Sequence, residues 1–413
     1  MLIHNAKLSK LKMTDYDYDV IVVGAGPAGS MTAKTCAEKG LDVLVLEKDA
    51  EIGTPKRCAE GLSMRGFSRA GLKYSPKYCA QDIRGLVMWA PNGKSVKFAK
   101  DETWGYVLER KIFEKHLAKD AIKAGADYMV RTTVYDLIKD QDGKPSGVKA
   151  RYLGDEREFT APLIVGADGT ESKIGRMAGL KTVNKISDYI SGFQYEMAGV
   201  EGLDQDKIHM WFGADTVPKG YLWAFPKGDD LVNIGIGIIA TENAKKSVRE
   251  YLDDFIASHP QHFKNASPVE INAGGIPVCG KIDDTFVDDH ILLVGDSAHQ
   301  VSPIHGGGMS TNLYAAQIAG RVIAEAANAN DFSKKKLLEY ENEWRQTDGK
   351  KMEKHLKVRL FVEGLSDDDF NWFADNMKPE MVEDLQHGQT GFLLKMLIKK
   401  PALLKYAVKY LKS

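Results

Sequence analysis

The stretch YDVIVVGAGPAGSMTAKTCAEKGLDVLVLEK, beginning at Tyr18, constrains the fold more than any other part of the chain. Val20 to Val23 form an apolar run of strand length, too short for a helix and suited to a buried parallel strand. Gly24-Ala25-Gly26-Pro27-Ala28-Gly29 follows, then a helical stretch to Lys39, a stop at Gly40, and a second strand, Asp42 to Leu46, ending at Glu47. Gly24 permits the tight turn, Gly26 lets the backbone approach a pyrophosphate, and Gly29 lets helix and strand pack closely. The helix opened by Ala28 and Gly29 turns its free N–H groups and positive dipole end toward the phosphates. Glu47 stands where a carboxylate can take both hydroxyls of an adenosine ribose. A lone glycine motif is weak evidence; strand, glycines, helix, second strand and acid in this order read as a dinucleotide site. Cys36, inside the helix, reads as a small core residue.

A chain of 413 residues suits two domains plus a tail. Its formal net charge of −1 gives no electrostatic case for nucleic acid. No stretch approaches the roughly 20 apolar residues of a spanning helix. Residues 1–17 lack the apolar centre of a signal peptide and read as an extension, with Met13 an alternative start. A cytoplasmic protein is expected. Cys36, Cys58, Cys79 and Cys279 form no CxxC pair and no His/Cys ligand spacing, so neither a metal site nor a disulfide scaffold is expected.

Later motifs select the dinucleotide. LIVGADGTESKIGR (Leu163 to Arg176) reads as strand, turn at Asp168-Gly169, and helix. HILLVGDSAHQVSPIHGGGMSTNLYAAQIAG (His290 to Gly320) reads as strand, turn at Gly295-Asp296, glycine-rich loop and long helix. Asp296 could accept from a ribityl or ribose hydroxyl. Gly306-Gly307-Gly308-Met309 opens a helix whose N–H groups could meet the pyrimidine edge of a flavin. Two distant segments closing over one cofactor suit extended FAD better than NAD. With Arg110 opening the helix of ERKIFEKHLAKDAIKAGA, these motifs resemble the FAD-dependent hydroxylase-like superfamily over about residues 18–330. The resemblance implies FAD with its adenine half on the first βαβ unit and its isoalloxazine under Gly295 to Met309. It also implies Arg110 near the diphosphate or ribityl chain, and a strand residue near Val134 passing the adenine.

Two further stretches narrow the chemistry. TPKRCAEGLS places Cys58, Ala59, Glu60 and Gly61 where the chain should run across the flavin. VPKGYLWAFPKGDDLVNIGIG alternates Tyr221, Trp223 and Phe225, which puts all three aromatics on one strand face. Such a face is either ordinary core or the wall of an apolar pocket. Tyr-x-Trp-x-Phe-Pro followed by Gly235-x-Gly237 resembles the geranylgeranyl reductase family. Lys-Arg-Cys-Ala-Glu-Gly-Leu and GYVLER (Gly105 to Arg110) resemble its archaeal branch. The resemblance implies FAD contacts at Cys58, Ala59 and Gly61, and a tunnel in which Tyr221, Trp223 and Phe225 lie against an isoprenoid chain. The implied substrate is an unsaturated ether lipid, digeranylgeranylglycerol phosphate or its phospholipid derivatives, reduced to phytanyl forms. An isolated trisubstituted alkene has no carbonyl to accept electron density, so a proton must reach one carbon as hydride reaches the other. Cys58, His305 and Tyr221 are the candidates at the reacting centre; His299 reads as flavin-loop scaffold. With no second glycine-rich dinucleotide motif, the electron donor is left between reduced ferredoxin and NAD(P)H.

The expected architecture is α/β in the broad α+β sense. A Rossmann-like ββα FAD-binding domain of the hydroxylase-like, glutathione-reductase-like kind (18–80, 105–180, 275–330) receives an inserted antiparallel-sheet substrate domain (81–104, 181–274). A helical C-terminal region, 331–413, follows. In its tail Lys395, Lys399, Lys400, Lys405, Lys409 and Lys412 interleave with Leu393, Leu394, Leu397, Leu403, Leu404, Val408 and Leu411. This suits a peripheral contact with the inner face of the cell membrane, and equally a helix packed on the protein with a solvated lysine face. Two other functions share the fold: an aromatic-ring monooxygenase, and a quinone-linked flavoprotein electron carrier. The aromatic stretch and the Cys58 segment argue against the first. The second often carries an iron–sulfur cluster, which these cysteines cannot build.

Overall fold

The computed structural model describes residues 16–282, 284–386 and 391–406. The expected extension and Met13 fall almost wholly outside them. Asp17 is described, and its carboxylate accepts from the Thr160 N–H at 3.0 Å.

The first apolar runs become the centre of a six-stranded sheet. Its order is Val287–Asp288, Ile291–Leu293, Ile164–Gly166, Val20–Val23, Val43–Leu46 and Asp127–Met129. All neighbours pair in parallel except the first two. Val20, Ile21 and Val22 are fully buried because both faces of this sheet are covered. Helix Pro27–Glu38 packs between Arg110–Ala124 and the long helix Met309–Ala329 on one face. A three-stranded sheet of Thr132–Lys139, Pro145–Tyr152 and Asp155–Thr160 covers the other through Val134, Leu137, Val148 and Ala150. The Asp142-Gly143 turn lies inside the Asp140–Lys144 reversal that joins the first two of these strands.

A seven-stranded sheet forms the second layer: Ser267–Pro277, Tyr189–Ala198, Leu231–Ile239, Gly220–Gly228, Lys207–Trp211, Gly85–Trp89 and Ser95–Ala99. It is antiparallel throughout except where Lys207–Trp211 pairs with Gly85–Trp89. One face buries Leu222, Ala224, Ile234 and Ile236 against helix Val248–Ser258. The other faces the FAD-type domain. The described residues from Ser333 onward are mostly helical. They also reach the second sheet, where Phe370 stacks on Phe212 at 5.9 Å.

The three motif glycines have different physical reasons. Gly24 has φ +106°, and a Cβ there would overlap the Ala167 carbonyl. A Cβ on Gly29 would overlap the Gly24 carbonyl, so Gly29 sets the helix–strand approach. A Cβ on Gly26 would meet nothing within 4 Å and would project into open space at the helix N-terminus. Gly26→Val should therefore give a folded protein, with normal circular dichroism, that purifies without yellow colour. Gly29→Val should lose the fold itself, read as loss of soluble protein or of cooperative melting.

Candidate active site

The residues expected at the adenine half surround Glu47. Expected to take the ribose hydroxyls, its carboxylate here accepts from the Ala25 N–H at 2.8 Å and the Asp49 N–H at 2.9 Å, bracing the glycine turn. The Arg131 and Thr132 N–H groups donate to the Asp49 and Glu47 carbonyls and bring the next strand alongside. Val134, two residues on, turns its side chain into the core and pairs with Ala150 across the ladder. Ala28 lies beneath Gly295, close enough that a Cβ on Gly295 would come 2.7 Å from its methyl.

The flavin half converges from three segments. Arg110, at the start of its helix, pairs with Glu114 one turn on. Burial opposes the Arg110 charge, but Glu114, Cys58 and Asp296 raise its pKa, which puts these side chains within electrostatic reach of one another. Burial pushes the Asp296 carboxyl up, while Asn312 and Arg110 favour its anion. Asn312 donates to Asp296 at 2.7 Å. Gly308 caps helix Met309–Ala329, and a Cβ there would crowd Asn312 and Asp296 at 3.0 and 3.1 Å. Gly307 passes the His305 ring equally closely. FAD fits this arrangement on two observations. The space before Gly26 is open at a helix N-terminus, and Asn312 Oδ1 is buried without a partner beside Asp296.

The three candidates at the reacting centre lie together. Tyr221 donates its hydroxyl to the His305 carbonyl at 2.5 Å. Loss of solvation raises the Tyr221 pKa, and Cys58 adds to that rise. The Cys58 thiol accepts from the Glu60 N–H at 3.1 Å. His305 is exposed, yet loss of solvation by the protein around it lowers its pKa to about 4. Its Nδ1 accepts from the Gly307 N–H at 3.0 Å, so the neutral ring carries its proton on Nε2. Neither a neutral imidazole nor a phenol shifted upward is a ready acid at neutral pH. His299 is scaffold: it bonds the Thr182 carbonyl and Cys279, each at 3.1 Å.

Register explains the aromatic stripe. Three rows run across four strands on the face toward the FAD-type domain: Gly274-Gly192-Gly237-Tyr221, Asn272-Gln194-Gly235-Trp223 and Glu270-Glu196-Asn233-Phe225. Trp223 lies over Gly235, where a Cβ would overlap the indole, and donates to Gln194 at 2.8 Å. Phe225 covers Gly61. The glycine row leaves the sheet nearly bare beside Tyr221. A Cβ on Gly192 would meet only backbone oxygens, at 3.3 and 3.9 Å, and the row is bounded by Ile190, Trp223 and the Arg57 stem.

Sequence reasoning missed the polar third row. Lys56 and Lys227, both buried, contact Glu60 at 3.1 and 2.9 Å, and both contact Glu196. Asn233 donates to Glu60 at 2.7 Å and Gln194 to the Cys58 carbonyl at 3.1 Å. The available signal was period-two spacing, since Lys227 follows Phe225 at the interval that joins Tyr221, Trp223 and Phe225.

A cavity of about 350 Å³ is bordered by Thr170, Glu171 and Arg176 of the GADG segment and by Asn184 and Tyr189, and includes none of the candidate catalytic, FAD or substrate residues. The C-terminal helix Gly391–Lys399 buries Phe392 and Met396, and Leu403 follows them into the protein. Lys395, Lys399 and Lys405 are exposed, as are Ile398 and Leu404. Lys409, Lys412, Val408 and Leu411 lie outside the described residues. Among the described residues no helix is long and apolar enough to cross a membrane.

Comparison with known proteins agrees with this geometry. The FAD binding domain family matches residues 17–354. The digeranylgeranylglycerophospholipid reductase of Methanocaldococcus jannaschii is 40% identical over 391 residues, 94% of this chain and 97% of that protein. Digeranylgeranylglycerophospholipid reductase 2 of Methanopyrus kandleri is 39% identical, over 95% and 98%. A geranylgeranyl bacteriochlorophyll reductase-like protein from Thermoplasma acidophilum superposes with a TM-score of 0.87 at 33% identity, over 94% of this chain and 99% of that one. A flavin-dependent brominase, 21% identical with a TM-score of 0.73, shares the fold. With the glycine cradle, the Asp296 loop and the Tyr-x-Trp-x-Phe-Pro strand on one interface, the chain belongs to the FAD-binding flavoproteins and, within them, to the digeranylgeranylglycerophospholipid reductase family.

Proposed function

We propose that the protein is an FAD-dependent reductase that saturates the C=C bonds of geranylgeranyl chains in ether-lipid precursors, giving phytanyl forms. The observation that carries the reading is the glycine row Gly274-Gly192-Gly237 leading to Tyr221, with Ile190 and Trp223 against Gly237, the Arg57 stem against Gly274, and Cys58 within electrostatic reach of Tyr221. A branched polyene suits a strip of sheet so poor in side chains, and a polar aromatic substrate does not need one. Bound FAD, once reduced by ferredoxin or a nicotinamide, supplies hydride. The protein's own work is to exclude water, hold the alkene and manage a proton. Tyr221 and Trp223 bring π faces to a carbon that becomes electron-poor as protonation proceeds. The thiol of Cys58 packs at the reacting end. His305, neutral with its proton on Nε2, orients the loop through its carbonyl bond to Tyr221.

Exposed Ile398 and Leu404, set among exposed Lys395, Lys399 and Lys405, give the reductase a face suited to an anionic bilayer from which its lipid is drawn. Phe392, Met396 and Leu403 are already buried in the protein, so this contact is peripheral.

Three outcomes are expected. Protein reduced anaerobically with dithionite and given digeranylgeranylglyceryl phosphate should yield lipid heavier in steps of two hydrogens, with the flavin reoxidised. No gain with this lipid, its phospholipid forms or free geranylgeranyl substrates, together with hydroxylation of an aromatic acid in oxygen, would replace the reductase by the monooxygenase. Gly192→Leu should retain FAD but lose use of the C20 lipid by about tenfold or more, because the side chain fills the trough. Undiminished turnover would place the lipid elsewhere. The protein should sediment with vesicles containing anionic lipid at low salt, and substitution of Lys395, Lys399 and Lys405 by Glu should abolish this.

A further inference from the structure

Glu60 is fully buried and holds a left-handed backbone, φ +74°. Its N–H donates to the Cys58 thiol at 3.1 Å. Its carboxylate accepts from the Arg110 N–H at 2.8 Å on one oxygen. The other oxygen meets Asn233 at 2.7 Å, Lys227 at 2.9 Å and Lys56 at 3.1 Å. One side chain thus joins the Cys58 turn, the N-terminus of helix Arg110–Ala124 and two strands of the second sheet. Asn233 and Gln194 fasten the same turn through the Ala59 and Cys58 carbonyls, at 3.3 and 3.1 Å. Glu196 is shared by both lysines, and Glu109 and Glu270 close the rim, the latter paired with Lys111. Stability does not require such a cluster, since buried ion pairs are often replaceable by apolar residues without loss. What an apolar cluster could not supply is a fixed direction at each bond.

We propose that Glu60, clamped between Lys56 and Lys227, is a positioning residue for the reductase: it fixes the Cys58 turn against the glycine trough and so sets where thiol and alkene lie at the flavin. The inference rests on the reductase reading above. Glu60 does not touch the substrate; it acts through Cys58 and the strand that carries Trp223 and Phe225. Burial opposes the charge of Lys227, yet Glu60 and Glu109 raise its pKa, so the lysine stays a cation within the clamp.

The test uses the full-length, FAD-loaded protein and two readouts. Glu60→Gln keeps the shape and the N–H bond to Cys58 but removes the charge. Expected are retained FAD, single-turnover reoxidation by saturating digeranylgeranylglyceryl phosphate slowed about tenfold or more, and a Cys58 alkylation rate with iodoacetamide, read on its peptide by mass, changed at least about threefold. Lys227→Met should behave alike, and Lys227→Arg, which keeps the cation, should recover most of both rates. A folded, yellow Glu60→Gln protein with both rates within about twofold of wild type would overturn the proposal. If Glu60→Gln does not fold, Glu196→Gln, at the rim of the clamp, decides by alkylation alone: an unchanged Cys58 rate overturns it. If wild-type protein reoxidises with no unsaturated lipid, the reductase reading fails, while Cys58 alkylation still judges the clamp.

Discussion

Two lysines buried beneath a sheet determine how the halves of this molecule meet. Lys56 belongs to the segment that crosses the FAD site, and Lys227 to the aromatic strand of the second sheet; neither can keep its charge in the interior without a carboxylate. Glu60 comes from the first half and Glu196 from the second, so each lysine is neutralised partly from its own side and partly from the other. Burial resists the ionised form of Glu196, but Lys56 and Lys227 hold its pKa below the usual carboxylate range. Removing one partner of such a cluster strands a buried charge, at a cost of about 3–5 kcal/mol. The two layers are therefore held in one register, and the rest of the site inherits it.

That register sets what each residue of the aromatic strand meets. Tyr221, Trp223 and Phe225 stand in successive rows, and each finds a different neighbour: the His305 carbonyl, the Gln194 amide of the same sheet, which also reaches the Cys58 carbonyl, and the backbone of Gly61. The glycines of Gly235-x-Gly237 have separate duties. Gly235 yields its side-chain volume to the Trp223 indole, while Gly237 joins Gly192 and Gly274 in a row that adds no side chains of its own and is bordered by Ile190, Trp223 and the Arg57 stem. Bare backbone beside aromatic walls can receive a long branched hydrocarbon without polar groups to desolvate.

The chemistry at the end of the trough is constrained by what its residues are not. Tyr221 gives its proton to a carbonyl, and His305 is neutral with Nδ1 occupied. Both are structural partners more readily than acids. Beside them the Cys58 turn is held by Gln194 and Asn233 through its carbonyls.

Strand, glycine turn, helix and acidic strand end were legible in the first fifty residues because local sterics and period dictate them: Gly24 needs its positive φ, and Gly29 sits too close to the Gly24 carbonyl for a side chain. The Asp296 loop, the Gly308 cap and the alternating aromatics were legible for the same local reasons. Whether those aromatics faced core or pocket was not, because alternation assigns residues to faces without saying what covers each face. Burial of Leu222 and Ala224 against the helix layer on one side, and contact with His305 and Gly61 on the other, follow from how two distant segments pack. The tail shows the same limit, since its interleaved leucines and lysines permitted a free or a packed helix, and contacts with Phe361 and Leu365 packed it. Lys56 and Glu60 stand one helical turn's spacing apart, but Glu196 and Lys227 lie far from them along the chain, and in sequence all four are ordinary charges. Only tertiary structure makes them one neutral cluster, because ion pairing depends on distance in space.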